Sequence, residues 1–244
     1  MGTVITITSG KGGTGKTSIT GGVAASLALM GRTVLCVDMD IGLRNLDIAL
    51  GLNDRALMDF SDVALGRCPL SRATVEHPTL KGLWLLTSPM SLPASLTPDK
   101  VRALLDTART MYDYILIDSP AGLGTGFRLA VCGADRALVV ATNDTSSLRD
   151  AQRVVAELEH LRQVHLVMNR IQTKLLRKLR TTIDDAMDAA GLPLMGVVPE
   201  DPQVILCANL GLPLTTRGPR GAALACRNIA LRLEGNRVPI MRIR

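Results

Sequence analysis

The sequence predicts an α/β fold in which a doubly wound, mostly parallel sheet is flanked by helices on both faces. Three stretches carry this prediction. A β-branched strand at residues 3–8 runs directly into a glycine-rich loop that opens a helix. Two continuously apolar stretches, residues 33–38 and 114–118, each end in an aspartate. Continuous apolar strands are typical of a parallel sheet that is covered on both faces.

The glycine-rich loop fits the P-loop pattern G-x-x-x-x-G-K-[ST]. Its residues are Ser9, Gly10, Lys11, Gly12, Gly13, Thr14, Gly15, Lys16, Thr17 and Ser18. Glycines let the backbone approach a polyphosphate, so that successive N–H groups form an anion-binding concavity at a helix start. Lys16 is expected to reach the β- and γ-phosphates, and the Thr17 hydroxyl to take one magnesium position. We therefore predict that residues 10–18 bind a nucleotide; a chance glycine-rich turn is the alternative.

Two strand ends supply carboxylates that are expected beside this loop. Asp38 ends the strand at residues 33–38, and Asp40 follows it. Asp118 ends the strand at residues 114–118, which is the Walker B arrangement whose carboxylate holds the magnesium shell. Open α/β sheets bind their ligands at the carboxyl ends of the strands. An ordinary polar turn is the alternative for residues 39–47.

Composition is compatible with a single P-loop ATPase domain at residues 1–235 and a short carboxy-terminal tail at residues 236–244. Of the 244 residues, 47% are hydrophobic but only 2% aromatic, so the core must be aliphatic. No apolar run reaches the roughly 18 residues of a membrane span, and the first residues form a strand rather than a signal peptide. Five scattered cysteines without a C-x-x-C pair favour reduced thiols in the cytoplasm. The net charge of +6 permits contact with anionic lipid or nucleic acid without demonstrating either.

Periodicity and glycine or proline breaks predict the remaining elements. We expect a helix at residues 19–30, ended by Gly31. Further helices are expected at residues 59–66, 98–109, 146–162 and 220–234, and strands at 83–87, 134–142 and 164–169. The basic run at residues 174–180 fits a solvated helix face, although it could also face DNA or lipid phosphate.

Four segments resemble the MinD branch of the MinD/ParA family of ATPases. Lys11 to Thr17 resembles that family's deviant Walker A box, which carries a second, early lysine. Residues 38–47 resemble its switch I, and Asp118-Ser-Pro-Ala-Gly122 resembles its switch II. Val198-Pro-Glu-Asp201 follows in the order that the family shows. The resemblance covers most of the chain and is weakest at residues 66–98 and after 235; Thr14 stands where the family often has valine.

The resemblance implies roles for individual residues. Lys11 would reach the phosphates bound by a partner subunit, as an arginine finger does elsewhere. Asp40 would lie near the attacking water and Asp38 near magnesium, while Asn45 and Asp47 belong to the same motif. Further residues in matching positions are Asn169, Pro199 and Asp201 for the adenine, and Arg149 and Asp150 for the dimer or partner surface. A helix cap with solvated charges is the alternative for the last two.

The resemblance also implies a function. The protein would hydrolyse ATP with Mg²⁺, form a homodimer across two ATP molecules, and stay slow until a partner orders the site. It would help to place the division septum at the cytoplasmic face of the inner membrane. A MinC-like inhibitor and a MinE-like activator are the expected partners. The tail at residues 236–244 could contact anionic lipid, or it could be an inert end.

Two alternatives use the same loop. A ParA-like or flagellar-number ATPase would act on DNA or other partners, and the wording Gly-Leu-Arg-Asn-Leu-Asp at residues 42–47 makes DNA the less favoured partner. An electron-transfer protein of the nitrogenase iron-protein type would need two cysteines per subunit. Cys132 follows switch II, but residues 85–98 contain no second cysteine. A non-catalytic scaffold is disfavoured, because Lys11, Lys16, Thr17, Asp40 and Asp118 are all present.

Overall fold

The computed structural model describes residues 1–53 and 55–241, and in that part of the chain eight strands form one sheet. The strands are β1 (Thr3–Thr8), β2 (Val34–Asp38), β3 (Val75–Glu76), β4 (Leu83–Leu86), β5 (Tyr114–Asp118), β6 (Arg136–Ala141), β7 (Gln163–Ile171) and β8 (Leu194–Pro199). The helices are α1 (Lys16–Leu29), α2 (Asn45–Leu50), α3 (Phe60–Ala64), α4 (Leu70–Ala73), α5 (Pro98–Arg109), α6 (Thr125–Val131), α7 (Thr145–Glu157), α8 (Thr173–Leu179), α9 (Ile183–Ala190), α10 (Pro202–Asn209) and α11 (Gly221–Leu233). A 3-10 turn covers Leu214–Arg217.

The strands lie in the order β3-β4-β2-β5-β1-β6-β7-β8. All neighbours run parallel except β3, which is antiparallel to β4 at the edge. From β1 the chain first builds the β2 side of the sheet and later extends the β6 side, so the order reverses beside β1. In open α/β sheets this switch point, at the carboxyl ends of the strands, is where ligands bind. The doubly wound, mostly parallel sheet predicted from the sequence is confirmed.

Helices cover both faces of the sheet and bury an aliphatic core. On one face α1 packs against α11 through buried Ile19, Val23, Cys226 and Ile229. On the other face α5 packs on β5 and β2 with its apolar stripe, whose spacing of three and four residues is that of one helix face. A third cluster joins α7 and α9 to β6 and β7. These layers fix the strand ends that carry the functional residues.

Several predicted boundaries differ from the structure. Helix α1 begins at Lys16 rather than residue 19, because Gly15 adopts a left-handed φ of 89° and ends the loop there. Helix α7 ends at Glu157 rather than residue 162, because Leu158 then turns into the core on the way to β7. Between β2 and β3 the chain forms three short helices, where the sequence predicted a single one at residues 59–66.

The basic run and most of the tail lie at the surface, while Met241 of the tail packs against the core cluster between α1 and α11. Helix α8 has no buried residue, so its lysines and arginines form a solvated face, as one of the two interpretations expected. The described part of the tail, residues 236–241, forms neither helix nor strand, and residues 242–244 of that predicted segment lie outside the described residues. Among the described helices, none combines the length and apolarity that crossing a bilayer requires.

Candidate nucleotide-binding and hydrolysis site

The P-loop connects β1 to α1 in a conformation that depends on its glycines. Gly13 and Gly15 have φ values of 78° and 89°, in the left-handed region that side chains with a Cβ rarely adopt. Gly10 packs against helix α7: a Cβ there would lie 2.5 Å from the carbonyl oxygen of Asp150. The loop is therefore shaped by left-handed glycines at its end and by the close approach of α7 at its start.

Lys16 lies inside the loop. Only 7% of it is exposed, and its ammonium donates a hydrogen bond to Ser9 Oγ at 3.0 Å. Burial lowers the pKa of Lys16, and the charges of Asp118 and Asp40 oppose that effect. Burial disfavours the charged form of this lysine. A phosphate bound beside it would stabilise the positive charge, so the position favours the binding of an anion.

Asp38 and Asp118 are neighbours on adjacent strands, paired across β2 and β5. Burial raises the pKa of Asp38 to about 6 and that of Asp118 to about 7, and the charge of Asp38 contributes to the rise at Asp118. Asp118 Oδ1 lies 3.3 Å from the hydroxyl of Thr20, and the nearby hydroxyl of Thr17 acts to lower the pKa of this carboxylate. Asp118, Asp38 and Thr17, which the sequence predicted as metal ligands, are thus brought to one edge of the sheet.

The buried oxygen Oδ2 of Asp118 has no hydrogen-bond partner among the described residues. An unpaired carboxylate oxygen in the interior is costly, and a divalent cation would satisfy it. Within that part of the chain, no group of three or more His, Cys, Asp or Glu side chains forms a complete metal cage. The donor set fits Mg²⁺, which prefers oxygen ligands and is usually held by one or two carboxylates together with substrate phosphates and water.

Asp38 also positions the segment that follows β2. Its Oδ1 accepts from the backbone N–H of Asp40 at 2.9 Å, and its Oδ2 accepts from that of Leu46 at 3.2 Å. These bonds tie residues 40–46 and the start of α2 to the end of β2. Asp40 is partly buried, with its pKa raised by burial and lowered by nearby Lys16. Asp40 therefore lies within the electrostatic reach of the P-loop lysine, at the edge where the sequence placed it.

Lys11 points away from the interior of the loop. Its ammonium donates to Asp144 Oδ1 at 3.0 Å and to Ser146 Oγ at 2.8 Å, and 38% of its side chain is exposed. Although partial burial acts in the opposite direction, hydrogen bonds from Thr142, Lys11 and Ser146 hold the pKa of Asp144 well below its usual range. Asp144 was not identified from the sequence as a site residue. Its only sequence signal is its place before a helix start, where it caps α7 through Ser147 N–H.

A cavity of about 180 Å³ opens beside the P-loop. The three residues predicted for the adenine, Asn169, Pro199 and Asp201, all line it. Asn169 donates from Nδ2 to Thr14 O at 2.8 Å and so fixes the loop. Asp201 accepts from Gln203 N–H and Ala222 N–H, both at 2.9 Å, and thereby joins the starts of α10 and α11. The structure brings these residues together and gives two of them a role in shaping the cavity wall.

Arg170 is a cavity residue whose role the sequence did not indicate. It has a left-handed φ of 57°, its Nη1 donates to Gly13 O at 3.3 Å, and its Nε forms an ion pair with Glu200 at 2.9 Å. A left-handed backbone is uncommon for a residue with a large side chain. Such a strained conformation persists where contacts with the surrounding structure stabilise it. Arg170 thereby closes the cavity between the loop and residue 200.

Arg149 and Asp150 lie on α7, next to the loop. Asp150 packs its backbone and Cβ against Gly10 and forms an ion pair with Arg153 at 3.6 Å, while Arg149 is exposed. The helix cap itself is Asp144, two residues before Ser146. Asp150 therefore contributes to the packing of the loop, and Arg149 is available at the surface of the same helix.

The sheet, the P-loop and the paired carboxylates define a P-loop nucleotide-binding protein, and comparisons with known proteins specify which. Residues 5–214 match the CobQ/CobB/MinD/ParA nucleotide binding domain. The septum site-determining protein MinD of Bacillus subtilis is 38% identical over 246 residues, which cover 98% of this chain and 92% of that protein. MinD in the MinC:MinD cell division protein complex of Aquifex aeolicus has a TM-score of 0.92 at 38% identity, covering 98% of both chains. MinD of Pyrococcus horikoshii complexed with Mg-ADP has a TM-score of 0.84 at 30% identity, covering 96% of both chains.

The chain therefore belongs to the CobQ/CobB/MinD/ParA family and, within it, to the septum site-determining MinD proteins. It is an ATPase of the MinD type that acts in the placement of the division site. The ParA-like alternative is less supported, because the relatives above, at 30% identity or more, are MinD proteins. The family predicted from the loop and the switch segments is confirmed.

Proposed function

We propose that this MinD-type ATPase is a nucleotide-controlled switch that forms a homodimer across two ATP molecules. The observation that carries the proposal is the separation of its two loop lysines. Lys16 is buried inside the loop, where it can contact the phosphates bound by its own subunit. Lys11 lies at the outer rim of the loop. A second lysine that points outward is placed to meet phosphate groups bound by another subunit. In the single chain Asp144 and Ser146 hold that ammonium.

The placement of the site residues supports the following proposed roles. The backbone of residues 10–18 would bind the phosphates, with Lys16 at the β- and γ-phosphates. Asn169, Pro199 and Asp201 would border the adenine in the cavity beside the loop. Asp40 would lie near the attacking water, and Lys11 from the partner subunit would stabilise the charge that develops during hydrolysis. Hydrolysis is slow until a partner orders these groups.

Mg²⁺ is the proposed metal, and Thr17, Asp118 and Asp38 are the residues that would hold it, directly or through water. The unpaired oxygen of Asp118 and the all-oxygen donor set support this assignment. Mg²⁺ neutralises part of the phosphate charge when it is bound. The protein's own contribution is to keep the two carboxylates side by side and to keep Lys16 within their electrostatic reach.

The test is nucleotide-driven self-association of the full chain, measured by analytical ultracentrifugation with Mg²⁺ and a slowly hydrolysed ATP analogue. The wild type is expected to shift from monomer to dimer. Lys11→Ala should still bind nucleotide but lose the shift, whereas Lys16→Ala should lose nucleotide binding. Lys174→Ala, which removes an exposed lysine of α8, serves as the control. Dimerisation of Lys11→Ala at wild-type affinity would exclude the proposed role of this lysine.

Partners and location follow from the relatives. The solved Aquifex aeolicus complex contains MinC with MinD, and it supports a MinC-like inhibitor as a partner of this chain. A MinE-like activator is proposed from the family alone. A titration of the ATP-bound dimer with a purified MinC-type protein should give saturable binding that is absent with ADP. Equal binding in both nucleotide states would contradict the switch.

The proposed location is the cytoplasm, with peripheral attachment to the inner face of the membrane through residues 236–244. Co-sedimentation with liposomes tests this, using ATP against ADP and the chain with and without that tail. Pelleting that needs both ATP and the tail is expected. Salt-sensitive binding of the ATP dimer to DNA, without binding to liposomes, would instead favour a ParA-like activity.

A further inference from the structure

A second cavity opens at the amino-terminal ends of β6, β7 and β8, the edge of the sheet opposite to the P-loop. Its volume is about 450 Å³, far above the ~30 Å³ that one water occupies in the liquid. Three arginines line it: Arg136 from β6, Arg162 from the turn before β7, and Arg232 from the end of α11. His165 of β7 faces the same space. The nucleotide site uses none of these residues.

The arginines of this cavity contact neutral groups. Arg136 Nη1 donates to Leu233 O at 3.4 Å, and Arg232 Nη1 donates to Met195 O at 2.8 Å. In residues 1–53 and 55–241, Arg162 makes no hydrogen bond or ion pair, and no carboxylate lines the cavity.

The acidic residues closest in sequence are already paired with other cations. Asp135, next to Arg136, forms an ion pair with Arg109. Glu234, two residues after Arg232, forms an ion pair with Arg32 and accepts from the hydroxyl of Tyr114 at 2.7 Å. Both carboxylates are therefore already paired with cations that do not line the cavity. Three guanidinium groups share one cavity without a carboxylate of the described chain to balance them.

Arg136 and Arg232 are partly buried, whereas Arg162 is exposed at the mouth of the cavity. Partly buried cations without a counter-charge are unfavourable, and an anion that enters the cavity would relieve this cost for Arg136 and would also be within reach of the donors of Arg162. Guanidinium groups present planar pairs of N–H donors that match phosphate oxygens. Arg136 and Arg162 keep most of these donors free, while Arg232 is used largely to hold the chain at Val238 and Pro239. His165, with its pKa lowered by burial and by Arg136, adds a neutral ring that can donate one hydrogen bond.

We propose that this cavity binds a phosphate group, with Arg136 and Arg162 as the principal ligands. The group is either a soluble phosphate or the phosphodiester of a lipid headgroup. The tail leaves the body at the rim of the cavity: Gly235 lines it, and Arg232 donates to Val238 O at 2.9 Å. A headgroup held here would lie beside residues 236–241. The inference goes beyond the nucleotide switch and does not depend on it.

The first experiment titrates the full chain with sodium phosphate while NMR follows the imidazole signals of its histidines. Saturating Mg-ADP keeps the P-loop filled, and sodium chloride at equal ionic strength is the salt control. The chain has 3 histidines, and His165→Gln assigns the signal of interest. The test variant is Arg136→Gln/Arg162→Gln. The matched control is Arg72→Gln/Arg177→Gln, which removes the same charge from exposed positions elsewhere.

The expected result is a saturable shift of the His165 signal in the wild type and in the control, weakened at least tenfold in the test variant. Absence of a saturable shift in the wild type, or an equal shift in the test variant, would overturn the proposal. Co-sedimentation with phosphatidylglycerol vesicles, against phosphatidylcholine vesicles, identifies the source. Pelleting that the test variant loses and the control keeps assigns a lipid headgroup, and the phosphate shift alone assigns a soluble phosphate.

Discussion

Asp118 is a single residue whose burial lowers the stability of the fold at neutral pH. Burial raises the pKa of Asp118 to about 7, and one of its oxygens is unpaired among the described residues. Because the folded-state pKa is above the unfolded value of 3.8, the folded state binds more protons between the two values. The contribution of Asp118 to stability is therefore present at low pH and is lost as the pH rises towards 7.

The test is urea unfolding of the wild type and of Asp118→Asn in EDTA at pH 5 and pH 8. Asparagine does not titrate, so the wild type should lose more stability between these pH values than the variant, by on the order of 2 kcal/mol. The variant should also lose ATP hydrolysis. An identical pH dependence of both proteins would contradict the buried, unpaired state of this carboxylate.

Thr14 offers a second prediction at this scale. Its hydroxyl is buried and has no hydrogen-bond partner in the described part of the chain. Thr14→Val replaces that hydroxyl with a methyl group of similar shape, and we expect an increase in the free energy of unfolding of about 1 kcal/mol. The control is Thr20→Val. The Thr20 hydroxyl donates a hydrogen bond to Lys16 O at 3.0 Å, so its removal should lower the free energy of unfolding. Equal destabilisation by both substitutions in chemical denaturation would contradict the assignment.

At the scale of elements, the close packing of α1 on α11 depends on Gly22. A Cβ at residue 22 would lie 2.6 Å from Cys226 Sγ, whereas one at Gly21 would meet its nearest neighbour at 3.4 Å, an ordinary contact. Gly21→Ala should be neutral or stabilising by up to about 1 kcal/mol, since alanine favours helix. Gly22→Ala should destabilise by about 1–3 kcal/mol despite the same helical gain.

Thermal unfolding of the two variants measures this difference, and Cys226→Ala added to Gly22→Ala tests its cause. Rescue should be partial, because the Cβ of residue 226 would still lie 3.2 Å from the new methyl group. If Gly22→Ala proved as stable as Gly21→Ala, the helices would have more room between them than the structure shows.

At the scale of the whole molecule, the thiols report how closed the core is. Cys36, Cys68, Cys207 and Cys226 are buried, and Cys132 alone of the five is half-buried. A thiol reagent should therefore label one cysteine of the native protein quickly and the other four only on unfolding. Burial raises the pKa of Cys132, so its labelling should be slower than that of a free thiol and should accelerate as the pH rises.

Mass spectrometry of the labelled protein identifies the modified residue, and Cys132→Ser should abolish the fast phase. If two or more cysteines reacted at the same rate in the native protein, at least one of the four thiols described as buried would be accessible to the reagent, which would contradict the structure. The four buried thiols also contact apolar neighbours on both faces of the sheet, so the labelling compares the two core layers in one measurement.

The sequence alone was sufficient to predict those parts of the candidate site that lie within continuous segments of the chain. The P-loop and the aspartates that end β2 and β5 were predicted by number, because a strand, a loop and a helix start occupy adjacent positions in the chain. The adenine-side residues were predicted from the family resemblance. Helix α2 was missed, since six residues do not make a stable helix by themselves. The burial of Leu46 and Leu50 and the bond from Leu46 N–H to Asp38 stabilise it.

Contacts between side chains that are far apart in the chain could not be predicted from the sequence. Lys11 and Asp144 are separated by 133 positions, and Arg170 and Gly13 by 157. The cavity lined by Arg136, Arg162 and Arg232 likewise combines residues of β6, the turn before β7 and α11. The physical reason is that strand order and helix packing set these contacts. Local propensity describes each segment's own backbone, whereas a long-range contact depends on which strands become neighbours in the sheet.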